Sequence, residues 1–216
     1  MTTTLKVAVI GLGNIGQAVA ANLSKSNRSF IAADRNIEKA KKLTANWGKS
    51  AQPGDIASAV KNAGIVILSI PFEAIAGFMK QYAADLEGKI IVDPSNPIAP
   101  DEKGGFKKVI GETESAGEVN ALALPKNAKL VKALGTLGAA SLTASAFQTP
   151  EKAVLFYATD ENEINETIEQ LINDNGFDAV RVGGISQSLR IEVFGDLHEF
   201  GALGKTITKS EAISKL

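Results

Sequence analysis

The chain has no cysteine in its 216 residues. Structural disulfides, thiolate metal sites and a cysteine nucleophile are therefore excluded, although that absence does not by itself assign a compartment. There is one histidine, and no His, Asp or Glu cluster has metal-ligand spacing, so no metal is expected. Neither charge is in excess: 23 Lys and Arg against 24 Asp and Glu leave −1. Nucleic acids and anionic membranes are held mainly by surplus positive charge, so neither is an expected partner. No apolar run approaches the roughly 18 residues of a membrane span. Met1 to Lys6 carry no basic n-region, and the apolar run behind them is short, so no secretory signal is expected. These absences point to a soluble cytoplasmic protein.

What is present is alternation. Short apolar runs change places with longer amphipathic stretches, the signature of β-α-β units and a parallel sheet. Strands are expected at Leu5–Ile10, Ser29–Ala33, Ile65–Ile70, Lys89–Val92, Lys129–Leu134, Ala153–Ala158 and Asp178–Val182. Helices are expected at Asn14–Ser24, Ile37–Trp47, Asp55–Asn62, Phe72–Tyr82, Ser115–Leu124 and Glu161–Asn173. Ser115 and Glu118 have capping-box spacing. Pro97 to Gly105 reads as a loop. Ser186 to Leu203 reads as a long helix, with Leu189, Val193, Leu197 and Phe200 at helical spacing. At 22.6 kDa about 70% of the unfolded surface can be buried, enough for a core without cross-links. The fold class is α/β: a Rossmann-type doubly wound parallel sheet with a small C-terminal α/β extension. The division expected is 1–150 for a dinucleotide-binding domain and 151–216 for an extension completing its cleft.

Gly11-Leu12-Gly13-Asn14-Ile15-Gly16 matches G-x-G-x-x-G between the first strand and the first helix. Gly11 serves the tight turn, Gly13 lets backbone approach a pyrophosphate, and Gly16 serves helix–strand packing. The phosphates would sit on free N–H groups at the positive helix end. The competing reading is a glycine-rich turn with no ligand. The second strand ends in Ala33-Asp34-Arg35-Asn36. An acid there accepts from the ribose hydroxyls of NAD and repels the 2′-phosphate of NADP. Arg35 and Lys39 act the other way, unless they belong to an ordinary solvated helix start.

Several phrases then fall in order. Ile65-Val66-Ile67-Leu68-Ser69-Ile70-Pro71-Phe72, Asp93-Pro94-Ser95-Asn96-Pro97 and Ser115-Ala116-Gly117-Glu118 are followed by Lys132-Ala133-Leu134-Gly135-Thr136-Leu137-Gly138-Ala139. Gly176-Phe177-Asp178 and Ser188-Leu189-Arg190-Ile191-Glu192 complete the series. The succession, spanning nearly the whole chain, resembles the coenzyme F420-dependent NADP oxidoreductase family, a fold also met as the reductase domain of the STEAP ferric reductases. The resemblance implies a nicotinamide lying in a cleft between a dinucleotide-binding fold and a smaller C-terminal portion. By position it places Leu12, Gly13, Asn14 and Ile15 at the pyrophosphate and Asp34, Arg35 and Lys39 around the adenosine ribose. Ile70 and Pro71 border the adenosine or ribose, Asn96 and Pro97 lie near the nicotinamide, and Ala139 lies by the nicotinamide or its partner.

Two positions depart from the family pattern. Asp34 stands where Ser or Thr is common, so both NAD and NADP are expected to bind. Gly135 stands where Asn or His is frequent, and Gly135 with Gly138 is expected to leave room for a planar acceptor.

No acid–base or nucleophile constellation identifies catalytic residues, and hydride exchange between cofactors demands alignment more than a strong side-chain acid. His198 is more readily structural than catalytic. Arg190 and Glu192 are candidates for an ion pair or for a contact in a homodimer. The activity implied is hydride transfer between NAD(P)H and a deazaflavin or flavin. The alternatives are a small hydroxyacid or imine dehydrogenase, for which the C-terminal portion is short, and a non-catalytic NAD(P)-binding sensor.

Overall fold

In the computed structural model, which describes residues 5–216, strand and helix alternate from the first element. The reading of Met1–Thr4 as free of a targeting signal lies outside the described residues. The series is β1 (Val7–Ile10), α1 (Asn14–Lys25), β2 (Phe30–Ala33), α2 (Ile37–Thr44), β3 (Ala51–Gly54), α3 (Ile56–Asn62), β4 (Ile65–Leu68), α4 (Phe72–Gln81), α5 (Ala83–Leu86) and β5 (Ile90–Asp93). A hairpin of β6 (Ile98–Pro100) and β7 (Phe106–Lys108) follows. Then come α6 (Ala116–Ala121), β8 (Lys129–Lys132), α7 (Ala139–Ala144), β9 (Val154–Ala158), α8 (Asn165–Asp174), β10 (Asp178–Gly183), α9 (Ser188–Ile191) and α10 (Lys209–Ile213).

Eight strands make one sheet in the order β10-β9-β8-β5-β4-β1-β2-β3. Pairing is parallel except between β8 and β9, which meet antiparallel through the single pair Lys132 and Ala158. β1 and β4 are buried on every residue, as the centre of a parallel sheet covered on both faces demands. On one face Val19 and Leu23 of α1, Leu142 of α7 and Ile168 of α8 close the core. On the other, Val60 of α3, Ile75 and Met79 of α4 and Leu86 of α5 do so. Leu155 and Tyr157 of β9 belong to the same buried cluster as Val9 and Ile67, so the C-terminal strands extend one sheet and one core. The crossovers run in opposite directions from β1 and β4, and a sheet so wound opens a crevice at the carboxyl ends of those two strands.

Two expectations need correction, and one strand, β3, was not expected. Pro97 to Gly105 is not all loop, because β6 pairs with β7. β3 carries Pro53, which cannot donate to a ladder; the strand is at the sheet edge, where that loss is tolerated. The long helix expected over 186–203 is absent: α9 ends at Ile191 and the chain turns repeatedly beyond it. Glu192 is extended at ψ 165, Phe194 is left-handed at φ 76, and a Cβ at Gly195 would strike the carbonyls of Leu189 and Arg190. Apolar spacing there serves packing of an irregular segment.

Candidate functional site

The glycines of the first turn divide into two kinds. Gly11 has φ 86, a region L side chains rarely adopt, and a Cβ on it would meet the Ser69 carbonyl and the Ile70 side chain. A Cβ on Gly16 would meet the Gly11 carbonyl. Both glycines let α1 sit close against the ends of β1 and β4. Gly13 is different. Its φ of −71 suits any residue and nothing lies within 4 Å of where its Cβ would be. The fold does not need a glycine there, so the open space fits a ligand that approaches the backbone. Gly13 caps α1 without a side-chain hydrogen bond, and no acid stands in the first turn. The twelve-residue helix thus presents its positive end uncompensated.

Leu12 is fully buried in the core, and its N–H donates to Asp34 Oδ2 at 2.9 Å. Asn14 and Ile15 line the cleft that opens past this turn. Asp34 also accepts from Asn36 N at 3.0 Å and from Lys39 Nζ at 3.3 Å. Burial pushes its carboxyl up, but the Asn36 and Leu12 N–H groups and the Lys39 ammonium outweigh it and hold the group below its usual range. Arg35 beside it is exposed and has no ion pair among the described residues.

The cleft is about 720 Å³ and follows the carboxyl ends of β1, β4, β5 and β8. Ile70, Pro71, Asn96 and Ala139 line it. Pro97 does not; it is buried behind, with its carbonyl accepting from Val109 N at 2.8 Å. Ser69 Oγ and Ser95 Oγ border the cleft as buried hydroxyls without a partner among the described residues, so polar groups of a bound molecule have acceptors and donors to meet. The room expected at Gly135 and Gly138 is already filled. A Cβ at Gly135 would strike the Pro94 carbonyl, and one at Gly138 would lie 2.9 Å from Glu199 Oε1 and Phe200 Cζ. These glycines permit chain to meet chain.

The far wall comes from the irregular segment after α9. Val193, His198, Glu199 and Phe200 line the cleft. Asn96 holds that wall: its Oδ1 accepts from Val193 N at 2.7 Å, and its Nδ2 donates to the Gly135 carbonyl at 3.1 Å. His198 does the same from the other side. Its Nδ1 accepts from Phe200 N at 3.0 Å, so the proton is on Nε2, which donates to the Gly135 carbonyl at 3.0 Å. Burial lowers its proton affinity, against the raising effect of that carbonyl and of Glu199. The ring is neutral and fully engaged with backbone. Glu199 accepts from Gly138 N at the start of α7.

Beneath the floor lies a buried ionic cluster. Lys132 Nζ is 3.1 Å from Asp93 Oδ2 and 3.8 Å from Glu192 Oε1, and also donates to the Ser95 carbonyl. Asn120 Nδ2 and Ser95 N donate to Asp93, while Ala116 N and Gly117 N at the start of α6 donate to Glu192. Arg190 and Glu192, the candidates for an ion pair, each have one, but not with each other. Arg190 pairs with Asp196 at 2.8 Å on the surface. Ser115 accepts from Glu118 N as expected, but Glu118 returns to the Ser115 hydroxyl at 2.8 Å rather than to its N–H.

Among the described residues no group of His, Asp and Glu could hold a metal ion, and no helix is long and apolar enough to cross a membrane. Residues 6–97 match the family described as NADP oxidoreductase coenzyme F420-dependent. A protein of Methanocaldococcus jannaschii named F420-dependent NADP reductase is 26% identical over 214 residues, covering 89% of this chain and 90% of that protein. The crystal structure of a hypothetical protein from Sinorhizobium meliloti superposes with a TM-score of 0.81 at 28% identity, over 94% of this chain and 95% of that one. A putative F420-dependent NADP-reductase from Arthrobacter sp. FB24 shares the fold, with a TM-score of 0.71 at 22% identity, over 85% of this chain and 86% of that one.

Proposed function

We propose, from the kinship of this chain with the coenzyme F420-dependent NADP oxidoreductases, that it transfers hydride between NADP(H) and a planar, flavin-like acceptor. The observation that carries the reading is the uncompensated N-terminus of α1 with open space at Gly13, leading directly into the apolar cleft. The backbone of Gly13, Asn14 and Ile15 holds the pyrophosphate, with Leu12 and Gly16 as its frame. Asp34, Arg35 and Lys39 surround the adenosine ribose, Ile70 and Pro71 border it, and Asn96 and Ala139 lie toward the nicotinamide. The part from 1 to 150 binds the dinucleotide, and 151–216 completes the cleft through Val193, His198 and Phe200.

When bound, NADPH would supply one hydride (a proton carrying two electrons), and the acceptor would take one further proton from solvent. The protein's contribution is alignment and exclusion of water. Asn96 and His198, both tied to the Gly135 carbonyl, fix the distance between the two walls. Lys39 offsets the Asp34 charge that would repel a 2′-phosphate, so NADP is admitted beside NAD. A hydroxyacid or imine dehydrogenase would require a proton donor in the cleft. His198 is committed to two backbone groups and Glu199 to Gly138, and the other ionisable side chain on the cleft wall, Glu73, is exposed to solvent in the first turn of α4, which disfavours that reading. Stopped-flow mixing of NADPH-loaded protein with a deazaflavin, FMN and riboflavin is the test. Oxidation of NADPH above the uncatalysed rate is expected. Turnover of small carbonyls or imines instead would establish the dehydrogenase, and binding with no oxidation would establish a sensor.

A further inference from the structure

We infer that the acceptor taken beside the dinucleotide is an uncharged planar molecule without an anionic tail, because among the described residues the cleft offers no positive group to meet one. The inference rests on the hydride-transfer reading and narrows its substrate class. The ionisable side chains lining the cleft are Glu73, Glu199 and His198, with no lysine or arginine among them. His198 is neutral by its hydrogen bonds, since Nδ1 accepts from Phe200 N and Nε2 already has a carbonyl.

Backbone offers no substitute. Three helices begin on the cleft wall: α1 at Asn14, α4 at Phe72 and α7 at Ala139. The start of α1 belongs to the pyrophosphate. The first turn of α4 contains Glu73, and the Gly138 N–H at the start of α7 donates to the Glu199 carboxylate. Each of the two helix ends left over for an acceptor thus has its own negative charge, which compensates the dipole and repels a second anion.

Neighbouring cations are committed elsewhere. Lys132 lies under the floor, 3% exposed, between Asp93 and Glu192. Lys108 on β7 donates to the Glu112 and Glu114 carbonyls at 2.9 and 2.6 Å, and Arg190 is paired with Asp196. Lys107 follows Phe106 in an extended strand, so its side chain points to the opposite face from the one that lines the cleft. At the rim stand Phe106 and Phe200, each 55% exposed, apolar surfaces suited to a ring and not to a phosphate.

Riboflavin and FMN separate charge from ring chemistry, since they share one ring system and differ by a phosphate. NADP⁺-loaded protein is titrated with each at low salt, following flavin fluorescence, and turnover with NADPH is measured alongside. Riboflavin is expected to bind more tightly by about ten-fold or more, with the gap shrinking as salt is raised. Glu73→Lys is expected to close the gap. FMN binding as tightly as riboflavin, or more tightly, would overturn the inference while leaving hydride transfer intact if both are reduced. Riboflavin bound preferentially but never reduced would support the charge inference and defeat the hydride-transfer reading. Binding of neither flavin would overturn both.

Discussion

Single residues in the glycine turn have separable duties. Gly13→Val is expected to cost little stability, because its φ is ordinary and its side chain would enter open space. It should nonetheless abolish measurable dinucleotide binding by calorimetry if, as proposed, that space is where the pyrophosphate meets backbone. Gly16→Val should do the reverse first, lowering the unfolding midpoint in urea by the equivalent of about 1–3 kcal/mol as its side chain meets the Gly11 carbonyl. Asp34→Ser removes one negative charge and frees Lys39, so the NADPH-to-NADH affinity ratio should rise by about ten-fold. An unaltered ratio in that titration would place the carboxylate outside the ribose site. His198 gives a pH dependence of definite sign. Its folded pKa lies below the ordinary 6.5 because burial disfavours the charged ring. The unfolded chain therefore takes up the proton first, and the stability present above about pH 6.5 is lost as pH falls below it. Urea unfolding between about pH 8 and about pH 5 should show this loss, and His198→Gln should flatten it. The G-x-G-x-x-G pattern was legible because Gly11 and Gly16 answer local steric demands, while Gly13 keeps open space beside the backbone. The state of His198 was not, because its partners Gly135 and Phe200 come from turns that only the folded chain brings together.

Elements were legible where pattern and packing agree. The run Ile65 to Leu68, apolar on both faces, could be little else but a central strand, and Asp55 caps α3 by accepting from Ser58 N. Residues 186–203 depart from the helix that the spacing of Leu189, Val193, Leu197 and Phe200 predicts, because Gly195 and Gly201 make carbonyl contacts that leave no space for side chains. The decisive pull is Glu192, drawn out of helical geometry to accept from the start of α6 and to face Lys132. That cluster fastens β5, β8, α6 and the segment after α9 under the cleft. Lys132→Met would leave the Asp93 and Glu192 carboxylates buried without their cation. The expected cost is about 3–5 kcal/mol in urea unfolding, with partial recovery in the double variant that adds Glu192→Gln. A single-variant cost below about 1 kcal/mol would mean that water reaches the cluster.

Across the whole molecule, the alternation of strand and helix announced a doubly wound sheet, and strand order follows from right-handed crossovers on either side of β1 and β4. How the last two strands attach could not be read, since β9 is as apolar as the parallel strands and yet runs against β8. The attachment has a consequence for cooperativity. β8 and β9 share one ladder pair, Lys132 with Ala158, whereas β1 shares four with β2 and four with β4. Side-chain packing of Leu155 and Tyr157 spans the junction, but few backbone amides are locked across it. The fold thus has a seam along which one unit, β9 to α10, can breathe while the central strands stay closed. Native-state hydrogen exchange should find β9 and β10 opening together, at a lower free energy than β1 and β4. Val193, His198 and Phe200 stand on the far side of that seam and the glycine turn on the near side, so a molecule spanning the cleft stitches the two together. Saturation with NADPH should then slow exchange in β9 and β10, strands that contribute no residue to the lining of the cleft.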